Sequence, residues 1–259
     1  MKVALITGAS MGIGEAFARS LAEQGRTMVL VARSVDALHR LATELEQRYR
    51  VAVYVMPADL SQHESATAVY NYCRQQQLEV ELLINCAGFS VAGAFADIPP
   101  ERIAEMVQVN STSLALLTRH FLPNMLQRKS GTIINVASLG GLQGVPGMGL
   151  YSATKSFVIT FSEALAHEVR PYGIKVVALC PGFIATGLME SAGQNTKAIR
   201  LPISQTDVVV KAMQRAFVTR YVRLYPTWLD SLLAFSQRLV SRSLAVRLAA
   251  FFAGVLKKG

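Results

Sequence analysis

Cysteine is scarce in this chain. Three residues, Cys73, Cys86 and Cys180, are spread over 259 positions with no CxxC pair and no histidine cluster beside them. Neither a disulfide framework nor a zinc site is expected, and a reducing, cytosolic setting fits best. Long apolar runs are missing too. The longest near the end, residues 248–256, has nine members, against the roughly 20 that a helix needs to cross a bilayer. The chain opens on a strand-like stretch, 2–6, and passes at once into a glycine loop, which leaves no room for a standard secretory signal. A cytoplasmic protein is therefore expected. Charge is sparse at 17% while 51% of residues are hydrophobic, a balance that excludes disorder and supports a substantial buried core.

The little charge there is lies unevenly. Residues 1–196 hold 15 Lys+Arg against 15 Asp+Glu, and residues 197–259 hold 11 against 2. The whole excess of +9 thus belongs to the last quarter of the chain. A basic surface spread throughout would point to nucleic acid. A neutral body with a basic tail points instead to a soluble domain carrying a cationic surface, and no nucleic-acid partner is expected.

Short β-branched runs recur at 3–6, 27–31, 51–56, 82–85, 132–136, 175–179 and 221–225, with helical periodicity between most of them. Leu38, Leu41, Leu45 and Tyr49 are one such stripe. Strands that are apolar at every position imply burial on both faces. The fold class is therefore α/β: a doubly wound, Rossmann-like parallel sheet of seven strands with a C-terminal amphipathic helical extension. We divide the chain into a catalytic body, 1–226, and an extension, 227–259. Within the body, 187–205 changes composition and reads as a flexible loop near the substrate.

The run TGASMGIG from Thr7 to Gly14 follows the first strand and enters a helix. Gly8, Gly12 and Gly14 stand where a tight turn, a close backbone approach to a pyrophosphate and close helix packing are needed. The free N–H groups of the helix start would face the phosphates; an ordinary strand-to-helix turn is the bland alternative. Ligands of such sheets lie beyond the carboxyl ends of the strands, where Asp59, Asn85, Ser138 and the pair Pro181–Gly182 also fall. After the second strand comes Arg33 rather than an acid. This favours the 2′-phosphate of NADP over the free ribose of NAD, with a solvated arginine at the helix start as the alternative.

Tyr151 and Lys155 lie four apart on a helix expected from Tyr151 to about Val169, so they share a face. A cation there would favour the phenolate. Alone, the pair is common by chance and reads more readily as an exposed helical pair. Together with the glycine loop, Asn85-Cys-Ala-Gly88, Asn110, Ser138 and Pro181–Gly182 in this order, it makes residues 1–186 resemble the short-chain dehydrogenase/reductase family. In detail, 29–34 and 181–189 look like its branch of 3-ketoacyl and 17β-hydroxysteroid reductases. The resemblance implies a catalytic tetrad of Asn110, Ser138, Tyr151 and Lys155. It also implies an NADP(H) site formed by Gly8, Ser10, Gly12, Ile13, Gly14, Arg33, Asp59, Leu60, Asn85, Ala87, Gly88, Tyr151, Lys155, Pro181, Gly182, Ile184 and Thr186. Two departures are Cys86, where the family usually has a second Asn, and the uncharged Met11 in the glycine loop.

Ser138 and Tyr151, with the apolar Val145, Met148, Phe183, Leu188 and Met189, are the expected substrate residues. They suit a hydrophobic ketone or secondary alcohol better than a sugar. A cofactor-binding scaffold or redox sensor without turnover is the alternative. In the extension, Leu229, Leu232, Leu233, Val240, Leu244, Leu248, Phe251 and Val255 fall at helical spacing, with a break expected near 241–243. Its apolar face could cover the cleft, meet a second subunit of a homo-oligomer, or lie peripherally on an anionic membrane. The sequence leaves all three open.

Overall fold

Apolar residues alternate between two cores along the inner strands, which is why those strands carry no polar face. In β1 (Lys2–Thr7), Ala4 and Ile6 enter one core while Val3 and Leu5 enter the other; Met28 and Leu30 part from Val29 and Val31 in the same way in β2 (Met28–Ala32). The computed structural model describes residues 1–254. β1 and β2 are joined by β3 (Val53–Pro57), β4 (Glu79–Asn85), β5 (Gly131–Val136), β6 (Ile174–Leu179) and β7 (Arg223–Leu224). The seven strands form one parallel sheet in the order β3-β2-β1-β4-β5-β6-β7.

Helices cover both faces. α1 (Gly12–Glu23), α2 (Val35–Tyr49) and α8 (Thr206–Ala216) bury Phe17, Leu21, Leu38, Leu45 and Met213 in one layer. On the other side, α3 (Ser65–Gln75), α5 (Ser113–Arg128) and α6 (Gly149–Val169) bury Val69, Leu117, Phe121, Met125 and Leu165. α4 (Pro100–Val107) runs into α5 through a π-helical turn, Gln108–Thr112. The strand order reverses direction between β1 and β4, and a crevice opens there at the carboxyl ends.

Two expectations need correction, and a third needs only its bounds sharpened. The last strand is two residues long rather than spanning 221–225, because it pairs only with β6 at the sheet edge and Tyr221 stays exposed. The stretch 187–205 is not a featureless loop. It contains α7 (Gly187–Ser191), a 3₁₀ turn at Thr196–Ala198 and a bridge from Ile184 to Ser204. The extension folds into α9 (Trp228–Ser236) and α10 (Arg242–Phe252), and the break lies at 237–241. Thr227 and Asp230 form a reciprocal capping box at the start of α9, and Ser241 caps α10. Val255 lies outside the described residues. Among those residues, no helix is long and apolar enough to cross a membrane.

Candidate active site

One cavity of about 720 Å³ runs along the carboxyl ends of the strands. At one end the glycine loop makes its floor. Gly8 has φ +68°, and a Cβ there would stand 2.9 Å from the Ala87 backbone; a Cβ on Gly14 would overlap the Gly8 carbonyl oxygen. Neither position has space for a side chain, because the loop packs its backbone directly against Ala87 and against itself. Thr7 fixes the turn after the neighbouring strand β4: its hydroxyl oxygen accepts the N–H groups of Cys86 and Ala87, each at 3.0 Å. Met11 precedes α1 without a side-chain cap, leaving the first-turn N–H groups available to an anion. Ser10, Gly12, Ile13, Leu60, Ala87 and Gly88 also line this end.

Arg33 lies on the same wall, exposed and forming no ion pair among the described residues. It and Lys155 are the only Lys or Arg side chains on the cavity wall among them. Two expected cofactor residues turn away. Asp59 is absent from the wall although Ala58 and Leu60 are on it; its carboxylate accepts the N–H and hydroxyl of Ser61 at 3.0 and 2.8 Å. Burial pushes that carboxyl up, but the Ser61 bonds and the charge of Arg33 outweigh it and hold the group below its usual value. Asn85 points into the protein, donating to Asn135 at 2.9 Å and Thr118 at 3.2 Å, and Asn135 donates to Ser162. The strand pleat sends its side chain to the α5–α6 face, so it ties the sheet to those helices.

At the other end Ser138, Tyr151 and Lys155 meet. Ser138 follows β5 and accepts the Gly140 N–H at 3.1 Å. Tyr151 and Lys155 face the cavity from α6, with Lys155 Nζ 5.7 Å from the phenol ring centroid and donating to the Val136 carbonyl at 2.8 Å. Asn110 does not reach the wall. It occupies the π-helical turn, accepts the Phe89 N–H and donates to the Phe89 carbonyl and to Thr154. Only Gly88 separates it from the lysine: a Cβ there would lie 3.1 Å from Asn110 Oδ1 and 3.3 Å from Lys155 Nζ.

The electrostatics differ from the simple expectation. Burial pushes the Tyr151 phenol up to about 12, against the pull of the neighbouring Ser138. Burial takes Lys155 down to about 8. The lysine does not bring the phenol into the neutral range here, because its own desolvation dominates and its ammonium is directed at a carbonyl. Tyr151 is therefore a protonated donor at neutral pH.

All five expected apolar substrate residues, Val145, Met148, Phe183, Leu188 and Met189, line the cavity, as do Pro181, Gly182, Ile184 and Thr186. Of the three places open to the apolar face of the extension, the structure puts part of it over the cleft; Phe252, Ser90, Gln194, Asp230 and Gln237 are wall residues that the sequence did not reveal. Leu229 and Leu233 from α9, Val240, and Leu248 and Phe252 from α10 supply a wall. Asp230 is buried in this wall, close against Gly182, and accepts the Thr227 N–H at 3.1 Å, and Gln237 donates to Gln143. The pattern Thr227-x-x-Asp230 was a readable helix-start signal for this piece. Ser90 and Gln194 also line the cavity, and Ser90 Oγ and Gln194 Nε2 are buried without a partner.

Comparison with known proteins agrees with this geometry. A family model described as short chain dehydrogenase matches residues 2–197. A very-long-chain 3-oxoacyl-CoA reductase from Anas platyrhynchos is 36% identical over 189 residues, covering 71% of this chain and only 60% of that protein's length. A short-chain dehydrogenase from Sphingobium yanoikuyae, solved with NADPH, superposes with TM-score 0.83 at 33% identity, covering 92% of this chain and 94% of that one. A 3-oxoacyl-[acyl-carrier protein] reductase from Brucella melitensis, solved with NAD, superposes with TM-score 0.74 at 29% identity, covering 87% and 89%.

Proposed function

The chain belongs to the short-chain dehydrogenase family of nicotinamide-dependent oxidoreductases, and from that premise we propose that it is an NADP(H)-dependent reductase of apolar ketones. The observation that carries the proposal is the convergence of Ser138, Tyr151 and Lys155 at one end of a cavity whose other end is a glycine loop with no room for a side chain at Gly8 or Gly14.

The residues present fit the cofactor. The glycine loop and the start of α1 would hold the pyrophosphate, Arg33 the 2′-phosphate, and Lys155 the nicotinamide ribose. Pro181, Gly182, Ile184 and Thr186 would hold the carboxamide end. When bound, the cofactor supplies or accepts the hydride. The chain's own work is proton transfer and orientation. Ser138 donates to the substrate oxygen, and Tyr151, held protonated by burial, delivers a proton to it, as a reduction requires. Asn110 positions the loop at Phe89 and Thr154 behind the lysine, consistent with support of a proton relay.

An exposed arginine held in no ion pair among the described residues favours NADP(H) over NAD(H). The apolar walls favour a hydrophobic chain. Ser90 and Gln194, two polar groups left without partners in that wall, favour a substrate with a second polar group besides the reacting oxygen, since an unmatched buried donor is costly. A 3-oxoacyl compound has that character. We include in the proposal a catalytic body of 1–226 with 227–259 as a basic amphipathic helical extension, a cytoplasmic location and a homo-oligomer. The exposed Phe157, stacked on Phe161, offers an apolar surface for the last.

The test is a screen of ketones, 3-oxo esters and thioesters, and steroids with both cofactors. NADPH consumption with apolar 3-oxo compounds is the expected result. Cofactor binding without turnover across the panel would establish the scaffold alternative instead.

A further inference from the structure

The extension is apolar on two sides, and only one of them is used by the cavity. Leu229 and Leu233 point inward from α9, as do Ala249 and Phe252 from α10. On the outside, Trp228, Leu232, Phe235 and Leu239 follow one another at spacings of four, three and four, and Leu244, Leu248 and Phe251 repeat the pattern on α10. Trp228 is 77% exposed and Leu239 73%. Contiguous apolar surface of this kind marks a docking face.

The charges beside it have one sign. Arg238, Arg242 and Arg247 are exposed and form no ion pair among the described residues, and Arg200 lies over the Phe251 ring at 4.2 Å. The only acid in the described part of the extension, Asp230, is buried on the inner side. A second copy of this face would bring arginine against arginine, which opposes self-association. An anionic lipid surface satisfies both components at once: acyl chains for the apolar stripe and headgroups for the guanidinium groups.

We propose that the outer face of α9 and α10 docks on anionic membrane surfaces. The orientation has a consequence for the cavity. Leu248 belongs both to the outer stripe and to the cavity wall, so the docked protein places an apolar edge of its cleft at the lipid boundary. An apolar substrate dissolved in the bilayer would have a short path inward. This last step rests on the reductase reading; the docking itself does not.

Trp228 is the only tryptophan in the chain, so its emission reports on this face directly. Adding vesicles of mixed phosphatidylglycerol and phosphatidylcholine at low salt to the full-length protein should shift the emission to the blue and bring the protein up in flotation. Phosphatidylcholine alone should do neither, and high salt should reverse both. Arg238→Glu with Arg242→Glu should weaken partitioning by about thirtyfold or more, from roughly a factor of five per cation near the surface. Leu232→Ser with Leu239→Ser should weaken it as well. Turnover of a short, water-soluble ketone should be unchanged in both variants, and loss of that turnover in the unaltered protein would count against the reductase reading alone. No emission shift and no flotation at low salt would overturn the docking proposal. So would an emission already blue-shifted without vesicles that moves to the red on dilution, which would mean that a second copy covers the face.

Discussion

The two ends of the cavity are built in opposite ways. The floor of the glycine-loop end comes from short-range sequence: the seven residues Gly8 to Gly14 that follow β1 set the turn and the helix start, and Gly8 and Gly14 have no room for a side chain. The substrate end is assembled from segments far apart in the chain, with Ser90, Val145, Met189, Leu229 and Phe252 on one wall. A locally encoded end constrains a common ligand. An end gathered from distant loops and an appended helix pair can change its shape while the chemistry between them stays in place.

Removing Lys155 strikes at the junction of the two ends and should have the largest effect. Lys155→Met should lower kcat by roughly two to four orders of magnitude and weaken NADPH binding, both read by steady-state kinetics and titration. The same variant tests the buried charge. Folded Lys155 lies at about 8 against an ordinary 10.5, so between these values the unfolded chain holds a proton that the folded one has released. Stability then rises with pH through that window, and below about 8 the full desolvation penalty remains. Denaturation of wild type and Lys155→Met across pH should show the wild type gaining on the variant from about 8 to 10.5, with a constant difference below. A pH-independent difference would remove the buried-ammonium account.

Arg33→Asp addresses the glycine-loop end alone. It should weaken NADPH by roughly ten- to a hundredfold, the worth of a charged hydrogen bond, with NADH much less affected. An unchanged preference would mean that another cation reads the phosphate.

Thr227→Ala addresses the other end and should do least. It removes the cap of α9, costing about 1 kcal/mol, and should raise KM for long apolar substrates while leaving NADPH affinity alone. A fall in cofactor affinity equal to the change in KM would show that the two ends are not separable.

The same division explains what could be read from sequence. The seven strands, the helix carrying Tyr151 and Lys155, and the glycine loop are legible because periodicity and spacing are local properties. Asp59 and Asn85 were correctly placed at strand ends, yet their side chains serve Ser61 and Asn135 rather than the cavity. Strand position does not decide side-chain direction when nearby partners compete. The direction of the Tyr151 shift was also hidden, since adjacency to a lysine is visible in sequence and burial of both groups is not. In the extension, helical spacing revealed an apolar stripe but could not separate two faces. Trp228 and Leu229 are neighbours in sequence, yet one stands in solvent and the other in the cleft.

The central claim is that Tyr151, protonated and buried beside Ser138, delivers the proton in an NADPH-dependent reduction. Its most direct test is Tyr151→Phe, with NADPH affinity and the reduction of an apolar 3-oxo ester measured on the same preparation. The account predicts a kcat lower by roughly two to four orders of magnitude with NADPH affinity nearly unchanged. Turnover close to that of the wild type would contradict it.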